Sequence, residues 1–130
     1  MCDVMGHVNV RHYAAMFDDA SFQLLGYLAG TGQETETGRG WADARFVMEY
    51  KRELSAGTLV TIRTQVTRIG RSSLTYRHEM SGTLDGALRA EAEVVTVRFD
   101  LSARAPTALE PEIRERAGAL LRNHPEKASP

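Results

Sequence analysis

Asp3, Gly6, His7 and Asn9 lie in one seven-residue stretch, directly ahead of a helical pattern that starts at about Val10. An aspartate can take a proton from water as a general base, or attack an electrophilic carbon itself. A helix beginning at Val10 leaves its first backbone N–H groups without partners and carries partial positive charge at that end. Gly6 and the N–H groups of residues 8–10 can therefore face a developing oxyanion, and such donors are typically worth roughly 10²–10³ in rate. Acid, glycine turn and helix terminus are the parts needed to hydrolyse a polarised carbonyl. The ordinary alternative for Asp3 is a turn or capping residue. Asn9 is of the type that caps a helix start, so its role stands open between cap and catalysis. His7 stands open between holding the loop and holding the water.

The elements that must position these residues follow in order. Val10, Tyr13, Ala14, Phe17, Ala20, Leu24, Leu25 and Leu28 repeat at helical spacing and make one apolar stripe, with Arg11, His12, Asp18, Asp19 and Gln23 opposite. The spacing predicts a long helix ending near Gly30, then a polar, Gly-rich loop over 31–40 and the sole tryptophan, Trp41. Four strand-like runs come next, over 46–52, 58–68, 74–80 and 88–101. Phe46, Met48 and Tyr50 share a face of the first; Val60, Ile62 and Val66 point inward from the second. Leu74, Tyr76, His78 and Met80 lie together on the third, with His78 read as a sheet-face residue and His12 as a surface one. Residues 70–73 read as a turn, and Asp85-Gly86 as a two-residue type I′ hairpin loop. A second helix is predicted over 110–122, with Pro111 in its first turn. One helix before an antiparallel meander is an α+β arrangement, a sheet wrapped on a helix. Residues 1–123 make a single domain and 124–130 a loose tail.

Composition narrows the function classes. The chain has 130 residues, 42% hydrophobic and 25% charged, with 16 Lys+Arg against 17 Asp+Glu. That near balance gives no basic surface for nucleic acid and no membrane-surface signal. No apolar run approaches the ~18 residues of a membrane span, and no signal peptide is expected. The single cysteine, Cys2, fits a reducing cytoplasm. A Gly-x-x-x-x-Gly-Lys loop, a Gly-x-Gly-x-x-Gly fingerprint and a Gly-x-Ser-x-Gly elbow are all absent. No His/Cys group has metal-ligand spacing, so neither metal nor cofactor is expected.

The run Asp3-Val4-Met5-Gly6-His7-Val8-Asn9 followed by Tyr13 resembles the signature of hotdog-fold acyl-CoA thioesterases of the 4-hydroxybenzoyl-CoA thioesterase type. Asp18-Asp19 on the helix and the helix-then-four-strands order fit as well, so the resemblance covers roughly residues 2–104. It implies an antiparallel sheet around one long central helix, and hydrolysis of a thioester to a carboxylic acid and CoA. It makes Asp3 base or nucleophile and Val10 the residue whose amide polarises the carbonyl. It also implies a homodimer or homotetramer with pockets at the interface. Tyr13 stands open between core packing and substrate contact, and Asp18 and Asp19 between a solvated helix face and the partner's pocket. The basic turn Arg68, Arg71, Ser72 and Ser73 corresponds to one that touches CoA phosphates, which suits arginine's paired N–H groups. Relatives carry a short strand ahead of the motif. Only Met1 and Cys2 precede Asp3, so the expectation is either a shortened start or another segment over that sheet edge. Acyl-carrier protein is an alternative acyl donor. A non-catalytic acyl-CoA sensor and a dehydratase of the same fold are the rival functions, and the dehydratase's Asp and His pattern is not found.

Overall fold

The computed structural model describes residues 10–30, 38–52 and 58–122. Helix α1 spans Val10–Ala29. Its stripe is buried where the spacing predicts, through Tyr13, Phe17, Leu24 and Leu28, with Ser21 buried among them. Gly30 ends it in the left-handed region, at φ 84°, with its N–H bonded to Gly26 O at 2.8 Å. That is the conformation a glycine adopts without steric cost at a helix end.

Strands β1 (Arg39–Tyr50), β2 (Val60–Ile69), β3 (Ser73–Gly82) and β4 (Leu88–Asp100) form an antiparallel sheet in the order β1-β4-β3-β2. A two-residue strand, β5 (Ala105–Pro106), pairs with the end of β4. Helix α2 follows over Pro111–Arg122. The sheet wraps on α1, which is the expected hotdog arrangement.

Two details differ from expectation. Strand β1 starts at Arg39, not Phe46, so Trp41 belongs to the sheet. A bulge between Asp43 and Arg45 hides this in the sequence. The extra residue shifts the parity, so Trp41 and Asp43 share a face with Phe46, Met48 and Tyr50 although their spacing does not alternate. Second, Asp85-Gly86 is not a two-residue loop. Gly82 and Ala87 close a longer turn, and only Gly86 has positive φ (71°), whereas a type I′ loop needs it at both central residues.

The interior falls into two apolar clusters. One joins Leu24, Leu28, Val66, Leu74, Tyr76 and Val94 to Leu109, Ile113 and Ala117 of the C-terminal segment. The other joins Tyr13 and Phe17 to Met80, Ala90 and Ala92. Helix α2 is tied down by an ion pair between buried Arg98 and half-buried Glu110: Arg98 Nε and Nη2 donate to Glu110 Oε1 and Oε2, each at 3.0 Å. The Arg98 guanidinium also lies 4.6 Å from the centre of the Trp41 ring. Arg116 Nη1 donates to Leu28 O at 2.9 Å, and Arg114 Nη1 to Gly70 O at 2.7 Å. The outer face of the sheet carries exposed ion pairs, Arg45–Glu93, Lys51–Glu91 and Arg77–Glu91 among them. Solvated pairs of this kind contribute little to stability.

Candidate functional site

Asp3, Gly6, His7 and Asn9 lie outside the described residues, as does the expected tail over 124–130. Helix α1 is described from Val10 onwards. Tyr13, one turn in, is 3% exposed and sits edge-on to Tyr50 with ring centres 4.8 Å apart. Packing holds it, and it lies at the end of β1 nearest the start of the helix.

The turn after β2 is clasped by backbone. Gly70 N–H bonds Ser73 O at 2.8 Å, Ser72 O accepts from Arg98 N–H at 2.7 Å, and Arg71 O accepts from Leu109 N–H at 2.9 Å. Those bonds fix the main chain while leaving the Arg71 side chain exposed and Ser72 and Ser73 half-buried. An exposed guanidinium on a rigid turn can meet a phosphate.

The interior holds a polar line that strand periodicity did not reveal. His78 is fully buried between the two apolar clusters. Its ring is stacked against Phe17 at 5.8 Å and lies edge-on to Tyr76 at 5.4 Å. Thr64 Oγ1 lies 2.8 Å from its Nδ1, and Ser21 Oγ 2.8 Å from its Nε2. Ser21 also bonds the Tyr76 hydroxyl, which lies 2.7 Å from Thr96 Oγ1. Thr96 Oγ1 in turn donates to Asp43 Oδ1 at 2.9 Å. The signal was a histidine among Leu74, Tyr76 and Met80 on an inward face, with polar residues on four other elements. Only the strand register brings them together, for Thr64 is paired with His78 and Asp43 with Thr96.

Burial sets the electrostatics here. Desolvation pulls the His78 pKa from its ordinary 6.5 down to about 4, so the ring is neutral at pH 7. Burial likewise pushes the Tyr76 hydroxyl up. On the open side of α1, desolvation raises the Asp18 carboxyl, helped by the charges of Asp43 and Asp19.

A depressed folded-state histidine makes stability pH-dependent in one direction. The contribution is fully present above the ordinary value of 6.5 and is lost as pH falls towards about 4, because the unfolded chain binds the proton first. The loss should be on the order of 3 kcal/mol over that window. Urea unfolding at pH 7 and pH 4.5 should show the wild type losing more stability than His78→Gln. Equal losses in the two proteins would remove His78 from the acid response.

Among the described residues, no three His, Cys, Asp or Glu side chains cluster to hold a metal ion, and no helix is long and apolar enough to cross a membrane.

Solved structures similar to this one share its fold. A Staphylococcus aureus hypothetical protein in complex with CoA aligns at a TM-score of 0.89 and 16% identity, over 93% of this chain and 77% of its own. A 1,4-dihydroxy-2-naphthoyl-CoA thioesterase from Synechocystis aligns at 0.80 and 17% identity, over 91% and 88%. A Thermus thermophilus thioesterase complexed with coenzyme A and zinc aligns at 0.76 and 26% identity, over 93% and 86%. No curated protein matches the sequence. At the family level the match runs through residues 1–117, from the Asp3 motif through α1 and every described strand and into α2. The chain therefore belongs to the thioesterase-like superfamily.

Proposed function

We propose that the protein hydrolyses an acyl-CoA thioester to a carboxylic acid and CoA, with Asp3 as general base or nucleophile and the Val10 amide polarising the thioester carbonyl. The observation that carries this reading is the family match over residues 1–117, which takes in the Asp3 motif and the helix over Val10–Ala29 that follows it. Gly6 is assigned to the oxyanion site, His7 to the loop or the water, and Asn9 to a helix cap or to catalysis. The CoA-bound relatives from Staphylococcus aureus and Thermus thermophilus support CoA as the carrier. A panel of CoA esters running from short-chain to aromatic to long-chain, with acyl-carrier protein esters beside it, tests the reading through release of free thiol. Turnover on one class identifies the acyl group. Tight binding with no release on any ester would make the protein a sensor instead.

Arg71 is assigned to CoA binding rather than chemistry. Loss of a phosphate contact at the surface should raise KM with little change in kcat. Arg71→Ala is expected to behave so on every CoA ester turned over, and an unchanged KM would leave the turn as only a turn.

The working protein is at least a homodimer. Strand β1 ends the sheet among the described strands and is exposed from Ala42 through Val47, while Phe46, Tyr50 and Phe22 leave large apolar side chains in solvent. Apolar patches of this kind mark contact surfaces, and a second copy along β1 would enclose a pocket beside Tyr13 and Asp18. Light scattering should give a mass of at least two chains. A 14.4 kDa particle at micromolar concentration would refute it.

A further inference from the structure

The polar line through the core has a direction, and that direction fixes a proton. It ends at Asp43, whose carboxylate oxygen accepts the hydrogen bond there. Thr96 Oγ1 therefore spends its one hydrogen on Asp43 Oδ1, at 2.9 Å. Tyr76 Oη, 2.7 Å from the same Thr96 oxygen, must then be the donor in that contact. The Tyr76 oxygen is left to accept from Ser21. With its hydrogen given to Tyr76, Ser21 Oγ can only accept at its 2.8 Å contact with His78, so His78 carries its proton on Nε2. Nδ1 is then an acceptor for the Thr64 hydroxyl, also at 2.8 Å. Every donor along the line points towards Asp43. The opposite tautomer would set two hydrogens against each other or leave a buried hydroxyl unpaired, at a cost of about 1–3 kcal/mol.

We infer that Asp43, acting through Thr96, Tyr76 and Ser21, holds His78 as its neutral Nε2–H tautomer and is thereby a positioning residue for helix α1. The line touches five elements: β1 at Asp43, β4 at Thr96, β3 at Tyr76 and His78, α1 at Ser21, and β2 at Thr64. Ser21 is the point where it grips the helix, midway between Val10 and Ala29. Both apolar clusters pack on α1, but apolar contacts do not fix its rotation or its sliding along the sheet. Directed hydrogen bonds at Ser21 do. Asp43 can reach the line because the β1 bulge turns it to the inner face opposite Thr96. The inference stands whichever acyl group the protein handles.

Long-range ¹H–¹⁵N correlation spectra of histidine-labelled protein at pH 7 read the tautomer directly. The protein has four histidines, and His78→Gln identifies the wanted signals by their loss. The wild type should show His78 protonated at Nε2 alone. Asp43→Asn places an amide N–H beside Thr96 and allows the line to reverse, and Tyr76→Phe cuts it while keeping the ring. In each, the Nδ1–H form should become populated. An Nδ1–H or doubly protonated His78 in the wild type would overturn the inference. So would Nε2–H alone persisting in Asp43→Asn and Tyr76→Phe. If one variant does not fold, the wild-type spectrum and the other variant still decide.

Discussion

Asp3→Asn is expected to lose at least ~10²-fold in kcat on the best CoA ester, since a positioned general base is typically worth ~10²–10⁴ in rate. The substitution keeps shape and hydrogen-bonding capacity but removes basicity and nucleophilicity together. Binding should survive, because the groups proposed to meet the carbonyl are backbone amides rather than the Asp3 side chain. Stability should survive as well, since Asn caps a helix about as well as Asp. That equivalence separates the two roles. A turn or capping residue would tolerate the change, whereas a base or nucleophile would not. A variant keeping more than about a tenth of wild-type kcat at unchanged melting temperature would take Asp3 out of the mechanism. His7 and the Asp18–Asp19 pair would then be next to test.

Glu110→Ala should cost about 3–5 kcal/mol, the usual consequence of leaving a buried charge without its partner. Arg98 is 2% exposed and gives two of its N–H groups to Glu110. The carboxylate's removal leaves it the Trp41 face and a long contact to Gly40 O at 3.4 Å. The loss falls on the whole C-terminal clasp, because Glu110 directly precedes α2, whose Ile113 and Ala117 complete one apolar cluster. Thermal unfolding should shift down by roughly 10–20 °C for a chain of this size. Glu110→Gln, which keeps the shape, should cost less. The pair also adds to the acid response. The hydrogen bond from Arg98 holds the Glu110 carboxyl below its ordinary 4.5, so its stabilisation is present above that value and is lost as pH falls below it. A drop under about 1 kcal/mol for Glu110→Ala would mean that the Arg98–Glu110 pair does not hold α2.

Much of the fold was legible because it rests on periodicity. The α1 stripe, the inward set Leu74, Tyr76, His78 and Met80, and Pro111 at the start of α2 all follow from patterns of 3.6 or 2 residues. What was missed breaks those patterns. The bulge at Asp43 hid seven residues of β1, and the turn at Asp85-Gly86 is longer than the dipeptide implies. β5 is too short to carry a period. The site divides along the same boundary. Asp3 and the helix start at Val10 form a local motif, readable in one stretch of chain. The line from Thr64 to Asp43 joins residues up to 57 positions apart, and no local pattern encodes it. Its members are ordinary threonine, serine, tyrosine and histidine until the register between strands is known. Arg98 and Glu110 were silent for that reason too, since a charged residue on an inward strand position signals burial only once its partner is seen.

The claim that matters most is that water cleaves the thioester. The most direct measurement incubates the wild-type protein with its best CoA ester in H₂¹⁸O and analyses both products by mass spectrometry. The account predicts free CoA and carboxylic acid in equal amounts, with one oxygen from solvent in the acid over many turnovers. Recovery of the intact ester, bound to the protein with no labelled acid formed, would contradict it.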